Sequence, residues 1–190
     1  GVLYAMIQAG SMGVPYVPIV GLVGTSLLEK RTDMKICADP FDGQTLTVVA
    51  KALRPDVAVF HVQKADAEGN VSTGYASDNV LLAEASRLVI VTAEEIVERV
   101  TEKEAEGSFM PGIFVHRVVH APFGAHPGAC PGRYPVDKAH MADYVRASAD
   151  DASFAAYLRR TVLEVPHHAA YVERFVPLSW RQPARLAAGD

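Results

Sequence analysis

The sequence has little of what stabilises secreted or membrane proteins. Its two cysteines, Cys37 and Cys130, lie far apart, and neither has the CxxC partner of a thiolate zinc site. Because two distant cysteines cannot build a disulfide scaffold, we expect buried, inert thiols in a reducing cytoplasm. No apolar run approaches the roughly 20 residues that span a bilayer, since charge, proline or glycine interrupts each candidate. These absences exclude a disulfide-rich protein and a membrane-spanning one.

An excess of positive charge is also absent. The chain has 18 Lys and Arg against 22 Asp and Glu, which gives a formal net charge of -4. This balance argues against a protein that binds nucleic acid by neutralising phosphates. The hydrophobic fraction of 49% over 190 residues is nevertheless enough for a core.

Several common functional motifs are missing as well. The sequence has no GxGxxG, no GxxxxGK[ST], no GxSxG and no HExxH. His116 and His120 could chelate a metal ion on a helix, but the segment "GIFVHRVVH" favours a strand. Four residues of a strand span about 13 Å, which is too long for two ligands of one ion. We therefore expect no metal site from this pair.

Short apolar segments alternate with helical patterns along the chain. The firmest strand is "RPDVAVFHVQ", which is apolar on both faces: Ala58, Phe60 and Val62 on one, Val57 and Val59 on the other. Strands of this kind belong to parallel sheets that helices cover on both sides. The sequence therefore predicts an α/β fold with an open, mostly parallel sheet covered by helices.

Helix starts are marked by capping residues. Asp78 precedes one helical pattern, and Asp137 precedes the pattern "KAHMADYVRAS". In "RLVIVTAEEIVERV", Thr92 and Glu95 have the spacing of a capping box, which predicts a strand that passes directly into a helix. Glu94 and Glu95 would then lie in the first helical turn, where negative charge is favourable. This interpretation gives both glutamates a structural role.

A polar cluster follows the strand in "RPDVAVFHVQKADAEGNVS". His61 and Gln63 lie on one face at its carboxyl end, where ligands of parallel sheets gather. A turn explains Gly69 and Asn70 beyond it, and Asp66 in part. It does not explain two inward polar side chains, although backbone groups often satisfy a buried His or Gln. The cluster is a candidate substrate site.

Several segments taken in order resemble the A subunit of the class I coenzyme A transferases. They are "VPYVPIVGLVGTSLL", "DPFDGQ", "LRPDVAVFHVQKADAEGNV", "VIVTAEEIVE" and "PFGAHPGACPGRYPVD". The glutaconate CoA-transferase group is the most similar. The resemblance implies a single domain over residues 1–190 with a fold related to sugar-phosphate isomerases. It also implies that an amino-terminal part precedes residue 1. Residues 177–190 are expected to form an exposed tail.

The resemblance further implies a heteromeric cytoplasmic enzyme, in which this chain pairs with the B subunit of a CoA-transferase. The enzyme would move CoA between carboxylic acids through a glutamyl-CoA intermediate on a glutamate of the B subunit. This chain would then carry no catalytic nucleophile. Acyl-CoA and carboxylates would be the substrates, with no further cofactor, no metal, no nucleic acid and no membrane as partners.

By the same resemblance, this chain would supply one wall of a cleft between the two proteins. Backbone amides in its glycine-bearing turns would receive the oxyanion that develops on the thioester carbonyl, and His126 would orient a substrate carboxylate. The expected substrate-binding residues are His61, Gln63, Asp66, Gly69, Asn70, Gly124, Ala125 and His126.

Two other functions remain open at the level of the sequence. Some pairs of this fold are thought to hydrolyse a cyclic-ketone CoA thioester in steroid breakdown, and "GTSLLEK" and "GACPGRYPVD" depart from the glutaconate enzymes. A glutamate in the nucleophile motif of the B subunit would favour transfer over hydrolysis. A non-catalytic ligand sensor of the same fold is the third interpretation, and the acidic balance and enzyme-like motifs of this chain count against it.

Overall fold

Two sheets, of three and five strands, organise the computed structural model, which describes residues 1–75 and 78–181. The strands are β1 (Tyr16–Ile19), β2 (Met34–Ala38), β3 (Leu46–Lys51), β4 (Val57–Ala65), β5 (Val71–Ser72), β6 (Leu88–Ile96), β7 (Phe109–Met110) and β8 (Arg117–His120). The helices are α1 (Val2–Ser11), α2 (Leu27–Lys30), α3 (Asn79–Ala85), α4 (Lys138–Ala147), α5 (Asp151–Leu158), α6 (His168–Phe175) and α7 (Leu178–Arg181). A 3₁₀ turn spans Gly112–Phe114, and a π-helical turn spans Arg159–Leu163.

The five-stranded sheet has the order β7-β5-β4-β6-β8. Its three longest neighbours, β4, β6 and β8, are parallel, and their register places His61 beside Thr92 and Thr92 beside Val119. The short strands β5 and β7 extend the sheet in antiparallel fashion. The α/β fold class and the parallel strands are therefore as the sequence predicts.

The three-stranded sheet differs from the predicted mostly parallel arrangement. Its order is β1-β3-β2, and both of its pairings are antiparallel. β2 and β3 are joined by the turn that "PFDG" predicts, in which Asp42 accepts hydrogen bonds from the amides of Gln44 and Thr45. A short turn can only connect antiparallel strands, because parallel ones need a crossover of a dozen or more residues.

The main core lies on one face of the five-stranded sheet. Val62, Val89 and Val91 are fully buried there, with Phe60 and Val118 packed against them. Each such side chain contributes roughly 1.5–3 kcal/mol when it leaves water. A second core joins α1 to β2 and β3 through Met6, Met34, Val48 and Ala50.

The opposite face of β4 is open at its amino end, unlike the prediction. Val57 and Val59 are 48% and 62% exposed, so helices do not cover this face in the part of the chain that the structure describes. Farther along the same face, His61 and Gln63 are covered by the loop that follows β8. The strand therefore changes from an exposed apolar surface to a buried polar one along its length.

β6 corrects the prediction of a strand that passes into a helix. The strand runs from Leu88 to Ile96 and includes Thr92, Glu94 and Glu95, so the capping box is wrong. Pairing with β4 continues to the end, where Ala65 lies beside Ile96 and accepts a hydrogen bond from the amide of Val97. This ladder outweighs the local helix signal.

Helices α4 to α7 form the carboxyl-terminal layer. Asp137 caps α4 by accepting from the amide of His140, as predicted. Asp78 occupies the N-cap position of α3, but its side chain makes no capping hydrogen bond. The start of the expected exposed tail is instead ordered as α7, whose Trp180 stacks on Tyr134 at 5.8 Å. Residues 182–190 lie outside the described residues. No helix in the described ranges is long and apolar enough to cross a bilayer.

Candidate functional site

The polar cluster of the sequence lies where two parallel strands end side by side. The register of β4 against β6 places His61 and Gln63 on the same face as Thr92 and Glu94. Successive residues of a strand point to opposite faces, so these four side chains point away from the apolar core and face the loop 121–134. The sequence thus predicts the position of the cluster but only half of its members.

Glu94 is the centre of this cluster. Its Oε1 lies 2.6 Å from Nε2 of His61 and accepts from the hydroxyl of Tyr134 at 2.5 Å. Its Oε2 accepts from the amide of Phe123 at 2.8 Å. The Glu94 side chain is only 7% exposed. We call His61, Thr92, Glu94 and Tyr134, with the amides of Phe123 and Ala125, the Glu94 network.

The donors of the network decide the protonation of Glu94. Burial alone would raise the pKa of Glu94, but the hydrogen bonds from His61, Tyr134 and Phe123 outweigh it and hold the pKa below its ordinary value. Burial and the bond to Glu94 raise the pKa of Tyr134 well above its usual range. The network therefore holds a carboxylate and a neutral phenol at pH 7.

His61 is fixed through both ring nitrogens. Nε2 donates to the Glu94 carboxylate, 2.6 Å away, and Nδ1 lies 2.8 Å from the Thr92 hydroxyl. A Cβ at Gly124 would lie 2.8 Å from the His61 ring, so only glycine allows the loop to pass this closely. His61 is thus enclosed between the sheet and the loop.

Gln63 has an equally tight environment. Its side-chain amide donates to the carbonyl of Pro131, and the residue is only 4% exposed. A Cβ at Gly74 would overlap the Gln63 side chain, and a Cβ at Gly132 would come within 3.0 Å of its amide nitrogen. Gln63 therefore joins the loop to the sheet in the way expected of a buried amide.

The residues after β4 form a separate, self-contained turn. Asp66 is fully buried and accepts from the amides of Asn70 and Val100 and from the Asn70 side chain, at 2.8–2.9 Å. Asn70 in turn accepts from the amide of Gly112, and Gly69 adopts a φ of 87°. Burial raises the pKa of Asp66, yet the bonds from Val100 and Asn70 bring it below its ordinary value. We call residues 66–70 the Asp66 turn.

The expected oxyanion contacts are not supported by this geometry. The amides of Gly69, Gly124 and His126 donate to the carbonyls of Asp66, Ala121 and Phe123, respectively. The amide of Ala125 donates to the hydroxyl of Tyr134 at 3.1 Å. Because each of these amides already has a partner, none is available to a developing negative charge without rearrangement.

His126 is also placed differently from the expectation. Its side chain is fully buried, with Nδ1 2.8 Å from the Tyr171 hydroxyl and Nε2 3.1 Å from Oδ2 of Asp137. Both nitrogens are therefore occupied within the chain. This arrangement favours a structural or metal-binding role over direct contact with a substrate carboxylate.

Two open cavities flank these groups. One of about 430 Å³ lies beyond the loop and is lined by Gly124 and His126 together with Val162 and His167. Another of about 440 Å³ lies beside the Asp66 turn, which supplies Asp66 and Gly69 to its wall. His61, Gln63, Asn70 and Ala125 line neither of these two cavities. The expected substrate residues thus divide into cavity walls and enclosed supports.

The site predicted from the sequence includes neither Glu94 nor Tyr134. Glu94 follows Thr92 by two residues on an apolar strand, and this period of two is the signal that places both on the face of His61. Tyr134 carries no such signal, because its approach to Glu94 depends on the path of the loop.

Among the described residues, two groups of side chains bring possible metal-ligand atoms within 4.8 Å of one another: His61, Glu94 and Cys130, and His126, Asp137 and His140.

Comparisons with known proteins agree with this fold. A family model described as Coenzyme A transferase matches residues 1–121. The A subunit of glutaconate CoA-transferase from Acidaminococcus fermentans is 30% identical over 91% of this chain and 59% of its own length. The crystal structure of glutaconate coenzyme A-transferase from that organism has a TM-score of 0.84 at 28% identity, over 90% of this chain and 60% of the other.

Two further relatives show the range of the similarity. The A subunit of 3-oxoadipate CoA-transferase from Pseudomonas knackmussii is 32% identical over 79% of this chain and 53% of its own length. The cholesterol ring-cleaving hydrolase IpdA subunit of Mycobacterium tuberculosis is 27% identical over 83% of this chain and 58% of its own length. The chain thus spans between 53% and 60% of the length of these relatives.

Proposed function

We propose, from the premise that this chain belongs to the coenzyme A transferase family, that it acts as the A subunit of a heteromeric CoA-transferase. The observation that carries the proposal is the match to the A subunits of two transferases over 79% and 91% of the chain. The ring-cleaving hydrolase subunit is more distant, at 27% identity, so transfer is favoured over hydrolysis.

The proposed reaction moves CoA from an acyl-CoA to a carboxylic acid. A glutamate of the B subunit attacks the thioester carbonyl and releases the CoA thiolate, leaving an acyl–glutamyl anhydride. The thiolate then attacks the glutamyl carbonyl, which expels the first carboxylate and leaves a glutamyl-CoA thioester. A second carboxylate reverses these steps.

The chemistry of Glu94 supports placing the nucleophile in the partner. A carboxylate that already accepts three hydrogen bonds and is 7% exposed is a poor nucleophile toward an entering thioester. In the proposal, Glu94 instead fixes the loop 121–134, whose outer surface forms one wall of the intersubunit cleft. The substrate would meet Gly124 on that wall.

The remaining expected site residues have two kinds of role in this proposal: some support the cleft from inside, and others border it. His61, Gln63 and Ala125 support the wall from inside. Asp66 and Gly69 border a second part of the cleft, and Asn70 supports that border through its hydrogen bonds to Asp66. This assignment rests on which groups line the two cavities.

Co-expression of the full-length protein with its partner, the B subunit, tests the proposal. CoA exchange between an acyl-CoA and a carboxylate, followed by mass spectrometry, is expected only when both proteins are present. A glutamate-to-alanine change in the nucleophile motif of the B subunit should abolish exchange and the glutamyl-CoA adduct. Thioester processing by this chain alone would contradict the proposal, and so would turnover that needs no carboxylate acceptor.

Alanine at Gln63 tests the supporting role of the interior. We expect a lower kcat in the assembled complex, because the loop carbonyl of Pro131 loses its donor. Unchanged kcat and KM would remove Gln63 from any role in the site. Alanine at Lys35 on the three-stranded sheet, distant in the topology, is a matched surface control.

A further inference from the structure

A second polar cluster lies between the loop 121–137 and α4. One ligand atom from each of His126, Asp137 and His140 lies within 4.8 Å of the others. Nε2 of His126 is 3.1 Å from Oδ2 of Asp137, and the two imidazole rings meet edge to face with their centroids 5.0 Å apart. The proposed function uses none of these three side chains for chemistry.

We propose that His126, Asp137 and His140 bind a divalent cation of the zinc class. Two imidazoles and a carboxylate are ordinary zinc ligands. Two ligands at about 2.0–2.1 Å in a tetrahedral arrangement stand roughly 3.3 Å apart, so the His126–Asp137 separation already fits one edge. The ligand atom of His140 lies within 4.8 Å of the other two, so this imidazole would move toward them when the ion binds.

The outer contacts of both imidazoles fit this assignment. Nδ1 of His126 pairs with the hydroxyl of Tyr171 at 2.8 Å, and Nε2 of His140 pairs with the hydroxyl of Tyr157 at 2.9 Å. One nitrogen of each ring is therefore oriented by a tyrosine, which leaves the other for the ion. Metal-binding histidines usually donate their second N–H to an oxygen acceptor such as a carboxylate, a carbonyl or water, and a tyrosine hydroxyl oxygen can accept in the same way.

Asp137 divides its oxygens in the same way. Oδ1 accepts from the amide of His140 and caps α4 at 2.9 Å, while Oδ2 faces His126. The cap keeps the carboxylate in place whether or not an ion is bound. Three protein ligands would leave a coordination position for water.

The other group with ligand chemistry is less suited to a cation. In the group of His61, Glu94 and Cys130, both oxygens of Glu94 already accept hydrogen bonds from three donors. Burial and the nearby Glu94 raise the pKa of Cys130 to about 11, so its thiol stays protonated at neutral pH. A thiolate is the form that binds metal, which favours the cluster at His126.

Cobalt binding tests the site without any assay of activity. The full-length protein, purified without a histidine tag and freed of metal with a chelator, is titrated with Co²⁺ and then with competing Zn²⁺. We expect one Co²⁺ per chain, visible absorption typical of four-coordinate cobalt, and displacement by Zn²⁺. Absence of binding at one equivalent per chain would overturn the proposal.

Variants locate the ion. Asp137→Asn keeps a residue that can cap α4 but removes the carboxylate, and His140→Gln removes an imidazole; each should abolish stoichiometric binding. Tyr157→Phe should weaken binding about tenfold or more. His120→Gln, on β8, is the matched histidine control and should bind as the wild type does.

Two outcomes would contradict the location. Binding that survives in both Asp137→Asn and His140→Gln would overturn it, and so would thiolate-to-cobalt absorption that disappears in Cys130→Ser. Circular dichroism of each metal-free variant confirms that a loss of binding is not a loss of fold. If one variant fails to fold, the other variant and the wild-type stoichiometry still decide the question.

Discussion

The Asp66 turn follows the end of β4, whereas the Glu94 network lies within the carboxyl-terminal parts of β4 and β6, and both bury a carboxylate. The partners of Asp66 are mainly local: two of its three donors belong to Asn70, four residues later. The partners of Glu94 come from β4 and from a loop that is 29 to 40 residues away in sequence. One carboxylate shapes its own turn, whereas the other joins separate parts of the molecule.

A buried carboxylate can therefore stabilise a single turn, as Asp66 does, or hold distant segments together, as Glu94 does. Loss of Asp66 should mainly change a single turn, because two of its three donors belong to Asn70 in that turn and the third is the amide of Val100. Loss of Glu94 should release the whole loop 121–134 from the sheet.

Glu94→Ala should have the largest effect on stability. The change leaves His61, Tyr134 and the amide of Phe123 without their acceptor, and each buried donor that is left unsatisfied costs about 1–3 kcal/mol. Urea denaturation measures this loss, and hydrogen exchange should show faster exchange through residues 121–126. Glu95→Ala is the control, because its side chain is 47% exposed; equal losses in the two variants would contradict the network.

Asp66→Ala should cost less and act locally. The amides of Asn70 and Val100 lose a buried acceptor, for which we expect about 2–3 kcal/mol. Hydrogen exchange should accelerate in residues 66–70 and at Val100 and Gly112, while residues 121–126 keep their protection. Faster exchange in the loop would show that the two regions are not independent.

Gly124→Ala should disturb the contact between the loop and His61. The added Cβ would lie 2.7 Å from the carbonyl of Ala121 and 2.8 Å from the imidazole, which predicts a loss of about 1–3 kcal/mol from overpacking. Gly128→Ala serves as the comparison within the same loop, because its Cβ would lie 2.9 Å from the carbonyl of Ala125 but would not contact His61. In the double variant Gly124→Ala/His61→Ala, part of the loss should be recovered; strict additivity would indicate that His61 is not the obstacle.

The pH dependence of Glu94 should be the smallest effect. Because the folded-state pKa lies below the ordinary value, its contribution to stability is present above about pH 4.3 and is lost as the pH falls through the folded pKa. The stability difference between the wild type and Glu94→Gln should therefore narrow on acidification. A difference that widens toward low pH would mean that Glu94 is protonated in the folded protein.

The contrast between the two regions also explains what the sequence can predict. The strand β4 and the residues of the Asp66 turn carry local signals: apolar residues on both faces, then glycine and asparagine. The local pattern misassigns Glu94 to a helix because Thr92 and Glu95 have capping-box spacing, and only the ladder to β4 shows that the strand continues.

Other differences have the same origin in non-local contacts. The pairing of β1 with β3 joins segments that are distant in sequence, so the antiparallel three-stranded sheet has no signature in a short window. The contacts of Tyr134 and His126 depend on how the loop folds back over the sheet and on α6 and α7. The cap at Asp137 is local, and its prediction is confirmed.

The fit of Gln63 against Gly74 restricts how this protein can vary. Any side chain at position 74 would enter the space of the Gln63 amide, and Gly74 has a φ of 76° that disfavours other residues in any case. Substitutions at the two positions are therefore coupled: a larger residue at position 74 requires a smaller residue at position 63. In a library randomised at both sites, functional clones with a side chain at 74 should carry a short residue at 63, and those with Gln63 should retain glycine.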